Sequence, residues 1–188
     1  MKWSEMSYSD YYIPFDENQR AIRGYFLTTL HVDLESIPYI FNQPFEYFNS
    51  SLYSFSEYFP QKVFLRDISG TSYKDYGGMS IMQSFMRIKR GGAYISNGMV
   101  TRGKYFYMLK RPSFEQNCPI ALSFDTKTEK YWVDSNGNHR IVFYKMMMLS
   151  EIAEKYEWSR SEDYDLEYAG FEEITNRYWL NAMVREVL

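Results

Sequence analysis

The stretch Tyr131-Trp132-Val133-Asp134-Ser135-Asn136-Gly137-Asn138-His139-Arg140-Ile141 decides how the chain is read. It begins as an aromatic, β-branched strand that ends in an acid. Asn136-Gly137 follows, a tight-turn pair whose glycine reaches backbone angles closed to other residues. An apolar run from Ile141 to Leu149 comes next, hydrophobic on every side, which is the pattern of a central buried helix. The helix is expected over His139–Tyr156, with a charged second half that leaves the core. Upstream, Pro119–Phe124 and Lys130–Asp134 predict two strands of a hairpin joined by Asp125–Glu129.

Further out, Lys62–Ile68 alternates and reads as a strand. Gly78–Arg90 has helical spacing and stops at Gly91-Gly92, and Tyr105–Leu109 reads as a strand. Pro44 can open a helix through Phe59, with Phe45, Phe48, Leu52, Phe55 and Phe59 at helical spacing. An earlier helix, Asn18–Leu30, is weakened by Gly24. Phe171–Leu188 reads as a final amphipathic helix, with Leu180, Met183, Val184 and Val187 on one face and Glu172 and Glu173 in its first turn. The fold class is mixed α+β. Residues 1–61 are expected to be an aromatic-rich N-terminal extension packed on a domain of residues 62–188.

The turn also carries chemistry. Backbone N–H groups at a helix N-terminus attract anions, and a glycine there lets phosphate approach closely. Arg140 adds a two-pronged phosphate contact, and His139 a donor or proton-transfer group. A cation in a helix's first turn opposes the dipole, and a bound anion would account for it. A plain structural reading stands beside this one, with Asn-Gly as a hairpin turn and His139 or Arg140 capping the helix or pairing with Asp134. The 1-3-5 spacing of Asp134, Asn136 and Asn138 hints at a calcium loop. That reading fails, because position 6 is His139 and position 12 is Lys145.

The pattern of a Pro-Ile strand, a hairpin, an aromatic strand ending in Asp, Gly-x-His-Arg and an apolar helix resembles the ParB/sulfiredoxin superfamily. In that superfamily a Gly-x-x-Arg or Gly-x-His-Arg motif starts a helix and holds nucleotide phosphates. The matching residues are Pro119-Ile120-Ala121-Leu122, Tyr131–Asp134 and Gly137-Asn138-His139-Arg140, about 35 of 188 residues. Val63–Ile68 is a looser counterpart of the family's first strand. The resemblance implies a small mixed sheet packed with helices and a nucleotide ligand, ATP or CTP. Phosphate would lie on Gly137, Asn138, His139 and Arg140, and His139 and Asp134 would be the catalytic candidates.

Phosphoryl transfer would bring Mg²⁺, with Asp67 and Glu115 as further carboxylates to hold it or act as base; the sequence singles out no metal-ligand set. The family's members include CTP-binding partition proteins, sulfiredoxins, free serine kinases and small ATPase/nucleases that restrain plasmid conjugation. Sulfiredoxin chemistry is disfavoured because Asn138 stands where that enzyme has its cysteine. Partition function is disfavoured by the lack of a helix-turn-helix after the motif and by an acidic tail that repels DNA. The expectation is therefore a nucleotide-binding ATPase/nuclease acting on DNA in a plasmid or phage context. The alternatives are a non-catalytic inhibitor that binds a protein target and a small-molecule kinase.

Composition bounds these readings. The 188 residues include 37 aromatics and a single cysteine, which excludes disorder, an internal disulfide and a Cys-based zinc cluster. No apolar run suits a membrane span and no leader is evident, so a cytoplasmic protein without a membrane partner is expected. The net charge of −3 averages blocks of −5 over residues 1–61, +8 over 62–111, 0 over 112–150 and −6 over 151–188. In the basic block Arg87, Lys89, Arg90, Arg102 and Lys104, interleaved with tyrosines, are candidates for nucleic-acid contact. Cys118 is expected to be buried and structural, His31 structural, and Met146–Met148 core filling.

Overall fold

A computed structural model describes residues 20, 21, 24, 25, 28, 39–88, 91–96, 98, 100–156 and 171–188. Its strands are β1 (Pro44–Tyr47), β2 (Phe59–Phe64), β3 (Ile68–Thr71), β4 (Met79–Ser80), β5 (Ala121–Asp125), β6 (Lys130–Val133) and β7 (Trp179–Glu186). The helices are α1 (Ile81–Met86), α2 (Gly91–Ser96), α3 (Arg102–Lys110), α4 (Asn138–Tyr156) and α5 (Glu172–Thr175). The strands form one mixed sheet in the order β2-β7-β5-β6-β3-β1-β4, so the α+β class is present.

The hairpin and the buried helix form where the central stretch places them. β5 and β6 pair antiparallel from Leu122↔Val133 to Asp125↔Lys130. The Asp125 carboxylate closes the turn by accepting from the Lys127 N–H at 3.0 Å and the Thr128 hydroxyl at 2.8 Å. Residues 141–149 of α4 are all buried. They share one core with Leu122, Tyr131 and Val133 of the hairpin and with Leu180, Ala182 and Val184 of β7. The helix leaves the core later than its charge suggests, since Ile152 and Ala153 are still buried.

Several expected elements differ. Phe171–Leu188 is not one helix: α5 covers four residues, and the rest is strand β7. Leu180, Ala182 and Val184 are buried at period two because β7 is held between β2 and β5 with both edges paired. Tyr105–Leu109 is helical rather than extended: Tyr105 and Leu109, four residues apart, are buried, while Tyr107 between them is exposed. Pro44–Phe59 is not helical either. β1 inserts parallel beside β3, a 3-10 turn follows at Ser50–Leu52, and β2 begins at Phe59. Its aromatic spacing serves sheet packing instead, as in the stack of Phe48 on Trp132.

Lys62–Ile68 is broken by a 3-10 turn at Leu65–Asp67, and Ile68 opens β3. The helix expected over Gly78–Arg90 shortens to α1, capped reciprocally by Ser80 and Gln83, and Gly91-Gly92 opens α2 rather than ending a helix. The boundary expected at residue 61/62 falls inside β2, and β1 lies within the sheet, so residues 44–61 belong to the same sheet as the rest. Of Asn18–Leu30, residues 20, 21, 24, 25 and 28 are helical and the others lie outside the described residues, as does His31. No helix among the described residues is long and apolar enough to cross a membrane.

Candidate functional site

Gly137 sits at the centre of the turn with φ +117, a conformation that side chains disfavour. A Cβ there would also stand 2.8 Å from Cγ1 of the buried Ile120. The Gly137 carbonyl accepts the first helical bond of α4, from the Ile141 N–H at 2.8 Å. A glycine in that place offers no side chain of its own to cap the first turn.

This turn forms part of the wall of a cleft of about 760 Å³. Gly137, Asn138, His139 and Arg140 all line it, together with Ser135 and Asn136. Tyr73 and Tyr76 reach the wall from the β3–β4 loop, Tyr94 from α2, Lys104, Tyr105, Tyr107 and Met108 from α3, and Arg111 and Glu115–Cys118 from the segment beyond. Five tyrosines and three fixed cations thus surround a helix N-terminus. Among the described residues the lining holds one carboxylate, Glu115, and Arg111 pairs with it at 3.5 Å.

Arg140 is half-buried, and its Nη1 donates to the Cys118 carbonyl at 2.6 Å. It forms no ion pair with a described carboxylate. Burial pulls its pKa below the ordinary guanidinium value, against the opposing influence of the acidic groups Cys118, Tyr105 and Tyr94. Asn138 is 8% exposed, and its buried Oδ1 has no hydrogen-bond partner. His139 shares a 2.6 Å hydrogen bond between Nε2 and the Tyr76 hydroxyl, and its ring meets those of Tyr76 and Tyr94 edge-on. The direction of that bond follows the imidazole tautomer.

No family model, curated protein or solved structure matches the chain.

The remaining sequence candidates scatter. Asp134 is 7% exposed and is not part of the cleft lining. It ion-pairs with Arg185 Nη2 at 2.6 Å and accepts from the Tyr58 hydroxyl. Burial first, and that hydrogen bond second, push the Tyr58 pKa up to about 12. The Arg185 guanidinium in turn lies 3.7 Å from the Phe55 ring centroid, so this cluster fastens the segment between β1 and β2 to the sheet. Asp67 lies outside the cleft and pairs with Arg66 at 3.7 Å.

Of the basic candidates, Lys104 lines the cleft. Arg102 pairs with Glu151 at 3.6 Å, and Arg87 is exposed at the end of α1. Lys89 and Arg90 lie outside the described residues. Cys118 is exposed rather than buried, and its Sγ accepts from Asn136 Nδ2 at 2.7 Å. It precedes β5 instead of entering the strand, which puts it at the cleft rim. Tyr73 and Tyr76 were not legible as site residues, because only the packing of the β3–β4 loop beside α4 brings them there, whereas Tyr94, one of the tyrosines interleaved with the basic block, does line the cleft. Among the described residues no group of three or more His, Cys, Asp or Glu side chains is placed to hold a metal ion.

Proposed function

We propose that the cleft binds a nucleoside triphosphate, ATP or CTP, and that the chain is a ParB/sulfiredoxin-like cytoplasmic protein acting on DNA in a plasmid or phage context. The observation that carries this reading is Arg140, a half-buried cation at the positive end of a 19-residue helix with no described carboxylate to pair with. Such a group is unfavourable to the folded chain unless an anion joins it. Held from behind by the Cys118 carbonyl, its guanidinium keeps N–H groups for phosphate. The backbone of the turn at the start of α4 completes the cradle. Lys104 and Arg111 add charge, and the tyrosine walls suit a stacked base.

His139, polarised by Tyr76, is the group able to move a proton at the phosphate end. Glu115 is the lining carboxylate that would share Mg²⁺ with the nucleotide phosphates; a magnesium ion suits an open arrangement of this kind because it keeps several waters. When bound, it would neutralise charge developing on the phosphates.

A second reading, binding without hydrolysis as an inhibitor of a protein target, is favoured by one observation. Glu115 is already engaged by Arg111, and Asp134 by Arg185. Calorimetric titration with ATP, CTP and ADP, with and without Mg²⁺, tests the proposal. Binding that is lost in Arg140→Ala is expected. No binding by any of the three, or binding untouched by Arg140→Ala, rejects it. Nucleotide turnover by the wild type, lost in His139→Ala, would separate the catalytic reading from the inhibitor reading.

A further inference from the structure

Two lysines meet over one aromatic ring outside the cleft. From β2, Lys62 Nζ stands 4.6 Å from the Trp179 ring centroid and 5.1 Å from that of Phe64. From the end of α3, Lys110 Nζ stands 4.9 Å from Trp179 and 4.0 Å from Phe106. Lying 4.6 Å and 4.9 Å from the same centroid, the two ammonium groups are no more than 9.5 Å apart. That is within about one Debye length at 0.1 M salt, so their repulsion is only partly screened. Burial, and then the charges of Lys62 and Arg177, hold the Lys110 pKa below its ordinary value. Neither lysine pairs with a described carboxylate. The nearby Arg66 and Arg177 do have acidic partners, in Asp67 and Glu151.

Helix α3 joins this patch to the cleft. Lys104, Tyr107, Met108 and Arg111 fall at helical spacing and line the cleft, whereas Phe106 and Lys110 occupy the adjoining face toward Trp179. The end of the helix is fixed on β7 by Asn181 Nδ2, which donates to the Lys110 carbonyl at 2.8 Å and the Arg111 carbonyl at 3.2 Å. Tyr107, on the cleft side, is 70% exposed.

We infer that this face is a docking track for single-stranded nucleic acid, with one nucleotide in the cleft and the adjoining phosphates on Lys110 and Lys62. The inference rests on the nucleotide reading of the cleft. Ammonium groups free of carboxylates recognise phosphate; Lys110 Nζ donates one N–H to the Arg177 carbonyl at 2.7 Å and keeps two others, and the exposed Tyr107 on the cleft side of α3 gives a base a surface to stack on. A single strand fits because its nucleotides are already unpaired, whereas a duplex would first have to flip one out to fill the cleft.

Fluorescence anisotropy with a labelled oligothymidylate roughly 12 nucleotides long tests the track. Each phosphate contact removed should lower the slope of log K against log salt by about 0.7, so the double variant Lys62→Gln/Lys110→Gln should lose about 1.4 in slope and bind about 25-fold more weakly at 0.1 M salt. Its affinity for ATP should stay within about twofold of the wild type, since neither lysine lines the cleft. Unchanged oligonucleotide affinity and salt slope in the folded variant, or no oligonucleotide binding by the wild type, overturns the track. If the double variant is unstable, Lys62→Gln alone, at an exposed position on an edge strand, should still remove about 0.7 from the slope. Failure of the wild type to bind ATP rejects the cleft reading itself. Retained ATP binding with unchanged oligonucleotide binding rejects only the track.

Discussion

Replacing Arg140 by Met and, separately, Arg185 by Met should have opposite consequences, although both remove a partly buried guanidinium. Arg185 faces Asp134 at 2.6 Å, and Asp134 is 7% exposed. Its loss leaves a buried carboxylate with only the Tyr58 hydroxyl, a cost of about 3 kcal/mol for breaking a buried pair from one side. Arg140 has no such partner. Removing it forfeits one hydrogen bond to the Cys118 carbonyl, about 1 kcal/mol, at an exposed residue where water can replace it. It also relieves about 0.3–1 kcal/mol of unfavourable charge at the helix N-terminus. Methionine retains most of the apolar stem, so the net change in stability without ligand should lie within about 1 kcal/mol of zero.

Nucleotide affinity should move the other way. A charge-assisted bond to phosphate contributes about 1.5–3 kcal/mol, so Arg140→Met should weaken binding roughly 10- to 150-fold, while Arg185→Met at a temperature where it stays folded should bind almost normally. Urea unfolding followed by far-UV circular dichroism, with calorimetric titration of ATP, measures both quantities. A loss of more than about 2 kcal/mol in Arg140→Met, with ATP binding intact, would refute the assignment of Arg140 as an anion-binding group and make it a structural cation instead.

Gly137→Ala combines a disfavoured φ with a Cβ 2.8 Å from Ile120, so a loss of about 2–4 kcal/mol and a lower midpoint in thermal unfolding are expected. Lys145, 4% exposed and packed toward Asp67, has its pKa lowered by burial to about 8. The unfolded chain binds this proton more tightly than the folded one, so the penalty is fully present below pH 8 and fades as pH rises toward 10.5. Lys145→Met should therefore be more stable than the wild type at pH 7, by about 1–3 kcal/mol, with the difference shrinking between pH 8 and 10.5 in parallel urea titrations. The Cys118 thiol, exposed on the cleft wall, should react with iodoacetamide in the native protein. Saturating ATP should slow that labelling severalfold, as read by intact mass.

The sequence determined the central unit by itself. The hairpin, the glycine turn and the buried helix rest on local rules: Asp125 closing a turn, a glycine at positive φ, and an apolar run too continuous for anything but a core helix. The same locality made Gly137, Asn138, His139 and Arg140 legible as neighbours, and they do line one cleft. Where several structures suited the local pattern, tertiary pairing chose. Leu180, Met183, Val184 and Val187 fit a helical face, yet the gap between β2 and β5 made the segment a strand, because pairing both edges outweighs a weak propensity. Tyr105–Tyr107 alternates like a strand, yet the burial of Tyr105 and Leu109 against α4 and the sheet made it a helix. Only the packed molecule could assign the charges. Asp134 is adjacent to the turn in sequence, but the strand pleat hands it to Arg185. Lys62, far from the turn, meets Lys110 over Trp179, and Arg140 alone among the turn's neighbours is left with its charge facing a cleft.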